Sequence, residues 1–285
     1  MSGIHPEVRN WLLTNNQGKL IHSEPVGGGC IHQALRLKTA EGIRFFLKQN
    51  DQSLTDIFKK EARGLEALRI PGGPVVPKVF LVGDSYLLLE DLQPASRCQN
   101  FWQSFGQQLA LLHNQINDNY GFQEDNYIGK NPQYNDWMEN GHDFFRERRL
   151  KPQMRITQNQ ALLNTQDIRN LERLMRSLPE LIPEQPASLL HGDLWSGNLI
   201  TDKRGMPAII DPAVYFGWAE ADLAMTDLFG TYPPDFYGAY NEVRPLDPGY
   251  RSRYPIYNLY HLLNHLNLFG RGYLSQVRTV LSQFE

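Results

Sequence analysis

Asp193, Asn198 and Asp211 are the residues whose types and spacing could move a phosphoryl group. His191-Gly192-Asp193 follows the apolar pair Leu189-Leu190, and Asn198 stands five residues after Asp193. Asp211 closes the apolar run Ala208-Ile209-Ile210, thirteen residues after Asn198. A hydroxyl attacking a γ-phosphoryl group must lose its proton and lie in line with the leaving oxygen. A carboxylate within hydrogen-bond reach orients it and takes that proton, which is the role expected of Asp193. Asn198 and Asp211 carry oxygen donors of the kind Mg²⁺ prefers. Each of the three alone has a plainer reading as turn chemistry. Together, at these spacings, they lay out a phosphotransferase catalytic loop and its metal site.

A second constellation lies upstream. Lys48 ends the apolar strand Ile43–Lys48, the position of a lysine that reaches the α- and β-phosphates of ATP. Glu61 falls four residues after Ile57 and four before Leu65, on the apolar stripe of its helix. A carboxylate on a core-facing stripe needs a cationic partner, because an unpaired buried charge is very costly. Lys48 is the expected partner; surface pairing of Glu61 with Lys60 or Arg69 is the alternative. The turn Gly27-Gly28-Gly29 between two strands lets backbone N–H groups approach phosphates, so Gly28 and Gly29 are candidate nucleotide contacts; His32 stands where a full G-x-G-x-x-G would end, and a plain hairpin turn is the alternative. Glu90 and Leu92, on either side of Asp91, are further candidates. Cys30 sits in the glycine turn, where a thiol would be either a small residue that fits or a redox-sensitive group able to link two chains.

The elements that must position these residues follow from periodicity. Ile21–Val26, Ala34–Lys38 and Ile43–Lys48 read as strands, with Ile43, Phe45 and Leu47 facing opposite to Arg44, Phe46 and Lys48. Residues 55–69 read as a helix ended by Pro71-Gly72-Gly73-Pro74. Val79–Val82 and Tyr86–Glu90 are further strands, and Asp91-Leu92-Gln93-Pro94 is a connector. Beyond it Trp102, Phe105, Leu109 and Leu112 mark a helix packed in a core. Residues 119–157 are mixed, and 160–177 read as helical. Strands at 198–201 and 207–210 flank the turn Asp202-Lys203-Arg204-Gly205. The last 35 residues are helix-rich and aromatic. The expectation is an α+β, two-lobed, kinase-like fold: a small β-rich lobe at 1–91 that binds ATP and a larger, mainly helical lobe at 92–285 that carries catalysis and the acceptor.

Bulk properties exclude several partners. The chain has 285 residues and a net charge of −3, without a long basic run, so duplex nucleic acid is not expected. Cys30 and Cys98 are too few for a disulfide framework. No apolar run reaches membrane-spanning length and Met1–Asn10 lacks a signal-peptide pattern, which points to the cytoplasm. Asp222 reads as a structural acceptor for amides of the catalytic loop. His261 and His265, four residues apart on a helix, read as core histidines rather than a metal pair, since no H-E-x-x-H pattern or third ligand accompanies them.

The acceptor class narrows in two steps. No A-P-E motif follows Asp211, and glycine rather than arginine follows His191, which sets protein kinases aside. Pro25 through Ile31, Phe144-Phe145-Arg146-Glu147-Arg148-Arg149-Leu150, His191 through Asn198 with Trp195, Asp211-Pro212-Ala213, Tyr260 through His265 and Phe269-Gly270 resemble the fructosamine kinase (ketosamine 3-kinase) family. The resemblance spans nearly the whole chain. It implies ATP- and Mg²⁺-dependent phosphorylation of the 3-hydroxyl of sugar adducts on amines, glycated lysines included. The 3-phosphate decomposes and frees the amine, so the implied role is deglycation. It also implies Asp193 as base, Asn198 and Asp211 as Mg²⁺ ligands, and Lys48 with Glu61 orienting ATP. Trp195, beside the base, could pack on the sugar or belong to the core. Trp218 stands where the family has histidine, which bears on substrate preference. Fructosamine and ribulosamine adducts both stay open, as do a monomer and a dimer linked through Cys30. The rivals are an aminoglycoside or amino-alcohol kinase and a non-catalytic ATP-binding protein. The first is disfavoured by the single acid in Gln276–Glu285, the second by the presence of all five polar catalytic positions.

Overall fold

Alternation along residues 43–48 sorts two chemistries onto two faces of one strand. The computed structural model describes residues 3–27, 33–50 and 56–284. In it, Phe45 and Leu47 are fully buried in a core with Ile4, Val8, Leu12, Leu35, Leu37 and Leu88. Phe46 and Lys48, from the other face of the same strand, line a cleft. The chain divides into two compact units, Met1–Phe101 with Leu199–Asp211, and Trp102–Asn198 with Pro212–Glu285.

The first unit begins with a helix that sequence reading did not assign, α1 (Pro6–Thr14). Its signal is short: only Val8 and Leu12 are buried, one turn apart, with Pro6 in the first turn where its missing N–H costs nothing. Trp11 from this helix meets the Phe45 ring edge-on at 6.0 Å. Strands β1 (Leu20–Val26), β2 (Gln33–Thr39), β3 (Arg44–Gln49), β4 (Val79–Val82) and β5 (Tyr86–Glu90) form an antiparallel sheet in the order β1-β2-β3-β5-β4. Helix α2 (Ile57–Ala67) buries Ile57, Phe58, Ala62 and Leu65, the stripe on which Glu61 lies.

The second unit opens with α3 (Phe101–His113), whose Phe105, Leu109 and Leu112 are fully buried. It continues through β6 (Ile116–Asn117), β7 (Asn126–Ile128) and β8 (Asn131–Gln133). The stretch read only as mixed contains one helical run, α4 (Gly141–Phe144), a π-helical turn at Phe145–Leu150 and α5 (Lys151–Asn159). Inside that turn Arg149 is fully buried, its guanidinium 3.9 Å from the Tyr215 ring centroid and 4.6 Å from that of Phe144. A cation, Arg149, shares the buried side with Phe144, Phe145 and Leu150 and interrupts the usual apolar stripe. Helix α6 spans Thr165–Leu181, later than the expected 160–177. Asn164 and Asp167 form a reciprocal capping box that fixes its start, a signal legible as Asn-x-x-Asp. Strand β9 (Ala187–Leu190) is buried along its length and leads into the loop that carries Asp193.

The hairpin β10 (Leu199–Thr201) and β11 (Pro207–Ile209) pairs Leu199 with Ile209 and belongs with the first unit. Its turn needs Gly205 at φ +77°, where a Cβ would lie 2.2 Å from the Ser96 carbonyl oxygen. Back in the second unit, β12 (Tyr215–Gly217) pairs with β9. Helices α7 (Ala219–Leu228), α8 (Pro234–Val243), α9 (Tyr250–Phe269) and α10 (Leu274–Leu281) complete the chain. A buried Arg253–Glu220 ion pair, with Tyr257 donating to the same carboxylate at 2.9 Å, joins α9 to α7. No helix of the described residues is long and apolar enough to cross a membrane.

Candidate active site

Lys48 is the hub of the first unit's polar residues. Its Nζ lies 2.6 Å from Glu61 Oε1 and 2.5 Å from Asp211 Oδ1. The pairing expected from the stripe position of Glu61 is present, and α2 presents that carboxylate to the strand. Burial works to lower the Lys48 pKa. The Asp211 and Glu61 carboxylates outweigh it and hold the ammonium above its ordinary range, so the charge persists at neutral pH. Asp211 adopts φ 57°, a left-handed conformation that aspartate tolerates better than most side chains and that marks functional turns.

Around this hub lies a cleft enclosing about 450 Å³, counted to its open mouth. Phe46, Leu65, Leu89, Leu92, Ile200 and Ile210 give it apolar walls, and Lys48, Glu61, Glu90 and Asp211 line it too. The structure therefore gathers Lys48, Glu61, Glu90, Leu92 and Asp211 in one place. An apolar slot with a cation at one end suits a planar base attached to phosphates. Gly28, Gly29 and Cys30 lie outside the described residues.

The second unit carries the loop with Asp193 and Asn198. Asp193 follows β9, and Asn198 turns its Nδ2 back to donate to the Asp193 carbonyl at 2.8 Å and to Oδ2 at 3.3 Å. Gly192 sits at φ +81°, and a Cβ there would lie 2.0 Å from the Ala213 carbonyl oxygen, so glycine is required on both counts. Asp222 grips the loop from α7, accepting from the His191 amide at 2.7 Å and the Gly192 amide at 2.9 Å. This is the structural role read for Asp222 from its position. Burial works to raise its pKa. His113, whose Nε2 is 3.2 Å away, and the amides outweigh that and hold the carboxyl below its ordinary range.

Trp195 is exposed at 39% and not part of the core. Its ring rests on Gly197, where a Cβ would stand 2.2 Å from a ring carbon, and meets Phe229 edge-on at 6.3 Å. Phe229 meets His265 at 5.1 Å, and His265 meets Phe269 at 5.5 Å. An uncharged aromatic surface thus runs outward from the residue two places beyond Asp193. Trp218 belongs elsewhere: it is buried between Tyr120, His142, Phe145 and Tyr257.

His261 is the residue that sequence reading left in the core and the structure brings to the loop. It is buried, yet its Nδ1 lies 3.9 Å from Asp193 Oδ1. Periodicity could show that it faces inward, but not which loop it would face.

Burial also sets an acid limit on stability. It holds the imidazoles of His113, His261 and His265 below their ordinary pKa, to about 3 for His261 and about 4 for His265. The unfolded chain takes up those protons below about pH 6.5, the folded chain only at lower pH. Their contribution to stability is therefore present above about pH 6.5 and declines as the pH falls from there toward the folded values. Thermal melts should show Tm several degrees lower at pH 5 than at pH 7, with His265→Gln reducing the difference. A Tm that does not change between these pH values would contradict neutral buried imidazoles.

Comparison with known proteins adds the following. The fructosamine kinase family profile matches residues 7–284. A probable ketoamine kinase from Synechocystis sp. is 42% identical over 264 residues, covering 90% of this chain and 88% of the relative. The chloroplastic protein-ribulosamine 3-kinase of Arabidopsis thaliana is 37% identical, covering 97% of this chain and 87% of its own. The crystal structure of a candidate fructosamine-3-kinase from Thermobifida fusca is similar at a TM-score of 0.89 and 32% identity, covering 96% of this chain and 97% of that one. The choline kinase LicA of Streptococcus pneumoniae shares the fold at a TM-score of 0.66 and 14% identity, covering 99% of this chain and 100% of its own.

Proposed function

The chain belongs to the fructosamine kinase family, and on that premise we propose that it transfers the γ-phosphoryl group of ATP to the 3-hydroxyl of a ketosamine. The carbohydrate acceptor is a fructosamine or ribulosamine adduct on lysine or another amine, and the product's decay releases the amine. The observation that carries this reading is the match, over nine-tenths or more of the chain, to proteins named ketoamine kinase and protein-ribulosamine 3-kinase. The protein-kinase-like α+β fold of its structural relatives supplies the rest.

Roles follow from chemistry. Lys48, held by Glu61, pairs with the α- and β-phosphates, and Gly28 and Gly29 supply amides to them. Glu90 and Leu92 border the base. Asp193 receives the proton of the acceptor hydroxyl as its oxygen bonds to the γ-phosphorus and the bond to the ADP oxygen breaks. Trp195 offers a flat face to the sugar. The donor types fit Mg²⁺: a carboxylate at Asp211 and a carboxamide at Asn198 whose nitrogen is turned to Asp193. Mg²⁺ bound by one or two protein groups commonly completes its shell with phosphate oxygens and water. When bound, Mg²⁺ neutralises charge developing on the phosphate oxygens. We assign residues 1–91 to nucleotide binding and 92–285 to catalysis and acceptor binding, and we place the enzyme in the cytoplasm, where ATP is supplied.

The test is a panel of fructosyl-lysine, ribulosyl-lysine and kanamycin incubated with protein and Mg-ATP, read by mass spectrometry. A mass gain of one phosphate on either ketosamine is expected. Phosphorylation of kanamycin alone would replace this reading with aminoglycoside modification.

A further inference from the structure

The geometry points to His261 as a positioning residue that fixes the Asp193 carboxylate through its Nδ1–H. This rests on the reading of Asp193 as the group that receives the acceptor's proton. Three observations support it.

The first is an unsatisfied donor position. His261 is buried, and its Nδ1 has neither solvent contact nor a hydrogen-bond partner among the described residues. Leaving a buried polar atom unpaired costs about 1–3 kcal/mol, so a histidine serving only as core filler would be poorly placed here. A carboxylate oxygen, Asp193 Oδ1, lies 3.9 Å away, about an ångström beyond a hydrogen bond. Catalytic hydrogen bonds are often long before substrate binds and tighten in the reacting complex.

The second is a division of labour at the carboxylate. Asn198 Nδ2 addresses Oδ2 at 3.3 Å, and His261 faces Oδ1. One donor on each oxygen leaves the carboxylate rotationally fixed. Each oxygen still has a lone pair with which to meet the acceptor hydroxyl. Burial keeps the imidazole neutral; in its Nδ1–H tautomer it donates to Oδ1, and the transferred proton stays with Asp193.

The third is a shared support. Helix α9 carries His261, and α7 carries Asp222, which holds the His191 and Gly192 amides. The two helices are joined by Arg253–Glu220 and by Asn258 Nδ2 donating to the Ala224 carbonyl at 2.9 Å. The imidazole and the loop it faces are therefore built on one scaffold, which is what positioning to a fraction of an ångström requires.

The test compares His261→Leu with His261→Asn by steady-state kinetics on the ketosamine that the wild type phosphorylates. Misplacing a reacting group by about an ångström can cost 10²-fold. His261→Leu should therefore lower kcat by about 10- to 100-fold with the KM for ATP changed less than about twofold. His261→Asn, whose amide nitrogen can take the place of Nδ1, should recover most of kcat. In an Asp193→Asn background, His261→Leu should cause little further loss, because the residue it positions is gone. Equal losses in the Leu and Asn variants, full activity of His261→Leu, or additive losses in the double variant would each overturn the assignment. Should His261→Leu not fold, His261→Met, which likewise lacks a donor, takes its place in the comparison with His261→Asn and in the Asp193→Asn cycle. A wild type inactive on every ketosamine would instead overturn the functional reading itself.

Discussion

Asp193→Asn is expected to lower kcat by about 10²- to 10⁴-fold while leaving the fold and the KM for ATP nearly unchanged. The substitution keeps the side chain's shape and leaves the backbone contacts of the loop intact. The Asp193 carbonyl still accepts from Asn198 Nδ2 at 2.8 Å and from the Trp195 amide at 3.1 Å. The Asp222 grip on His191 and Gly192 does not involve the 193 side chain at all. What is lost is the carboxylate proposed to orient the hydroxyl and receive its proton. Turnover of a ketosamine, followed by ADP release alongside a thermal melt, reads both halves of the prediction. Undiminished turnover in a well-folded variant would sink the mechanism.

The second large effect is at Lys48. Lys48→Met should abolish measurable phosphotransfer and also destabilise the protein. The Lys48 ammonium pairs with Glu61, whose side chain is 11% exposed, and also meets Asp211. Removing one partner of a buried pair leaves an uncompensated charge and costs about 3–5 kcal/mol. For a chain of this size that corresponds to a fall in Tm of about 10 °C. A companion substitution separates the two consequences. Lys48→Met with Glu61→Gln removes the stranded charge, so Tm should recover substantially while activity stays absent. If Tm and activity both recovered, Lys48 would have no part in holding the nucleotide. If the single variant melted like the wild type, the ion pair would not be the buried one described here.

Much of this site could be read before any coordinates, because its residues follow local rules. Glu61 declared itself by lying on an apolar stripe where a charge does not belong. Lys48 did so by its place in an alternating strand, and Asp222 by its distance from the loop it supports. The sheet strands and the hairpin at 199–209 were legible from period-two patterning and a glycine turn. The failures were of another kind. Helix α1 offers two buried residues and little else. The π-helical turn hides behind Arg149, a cation buried among aromatic rings, which no hydropathy pattern announces. His261 was read correctly as inward-facing. Its relevance depends on a loop 68 positions earlier in the chain, and such a pairing is set by packing of whole helices rather than by spacing.

The Asp222 grip also has a consequence for synthesis. The ribosome delivers Asp193 before Asp222, and Asp222 before the α9 helix that braces α7. A nascent or truncated chain ending before residue 222 would carry the complete catalytic loop with the His191 and Gly192 amides unheld. Activity should therefore arise late, after the final helices have emerged and docked, and premature termination should yield a silent product rather than a partly active one.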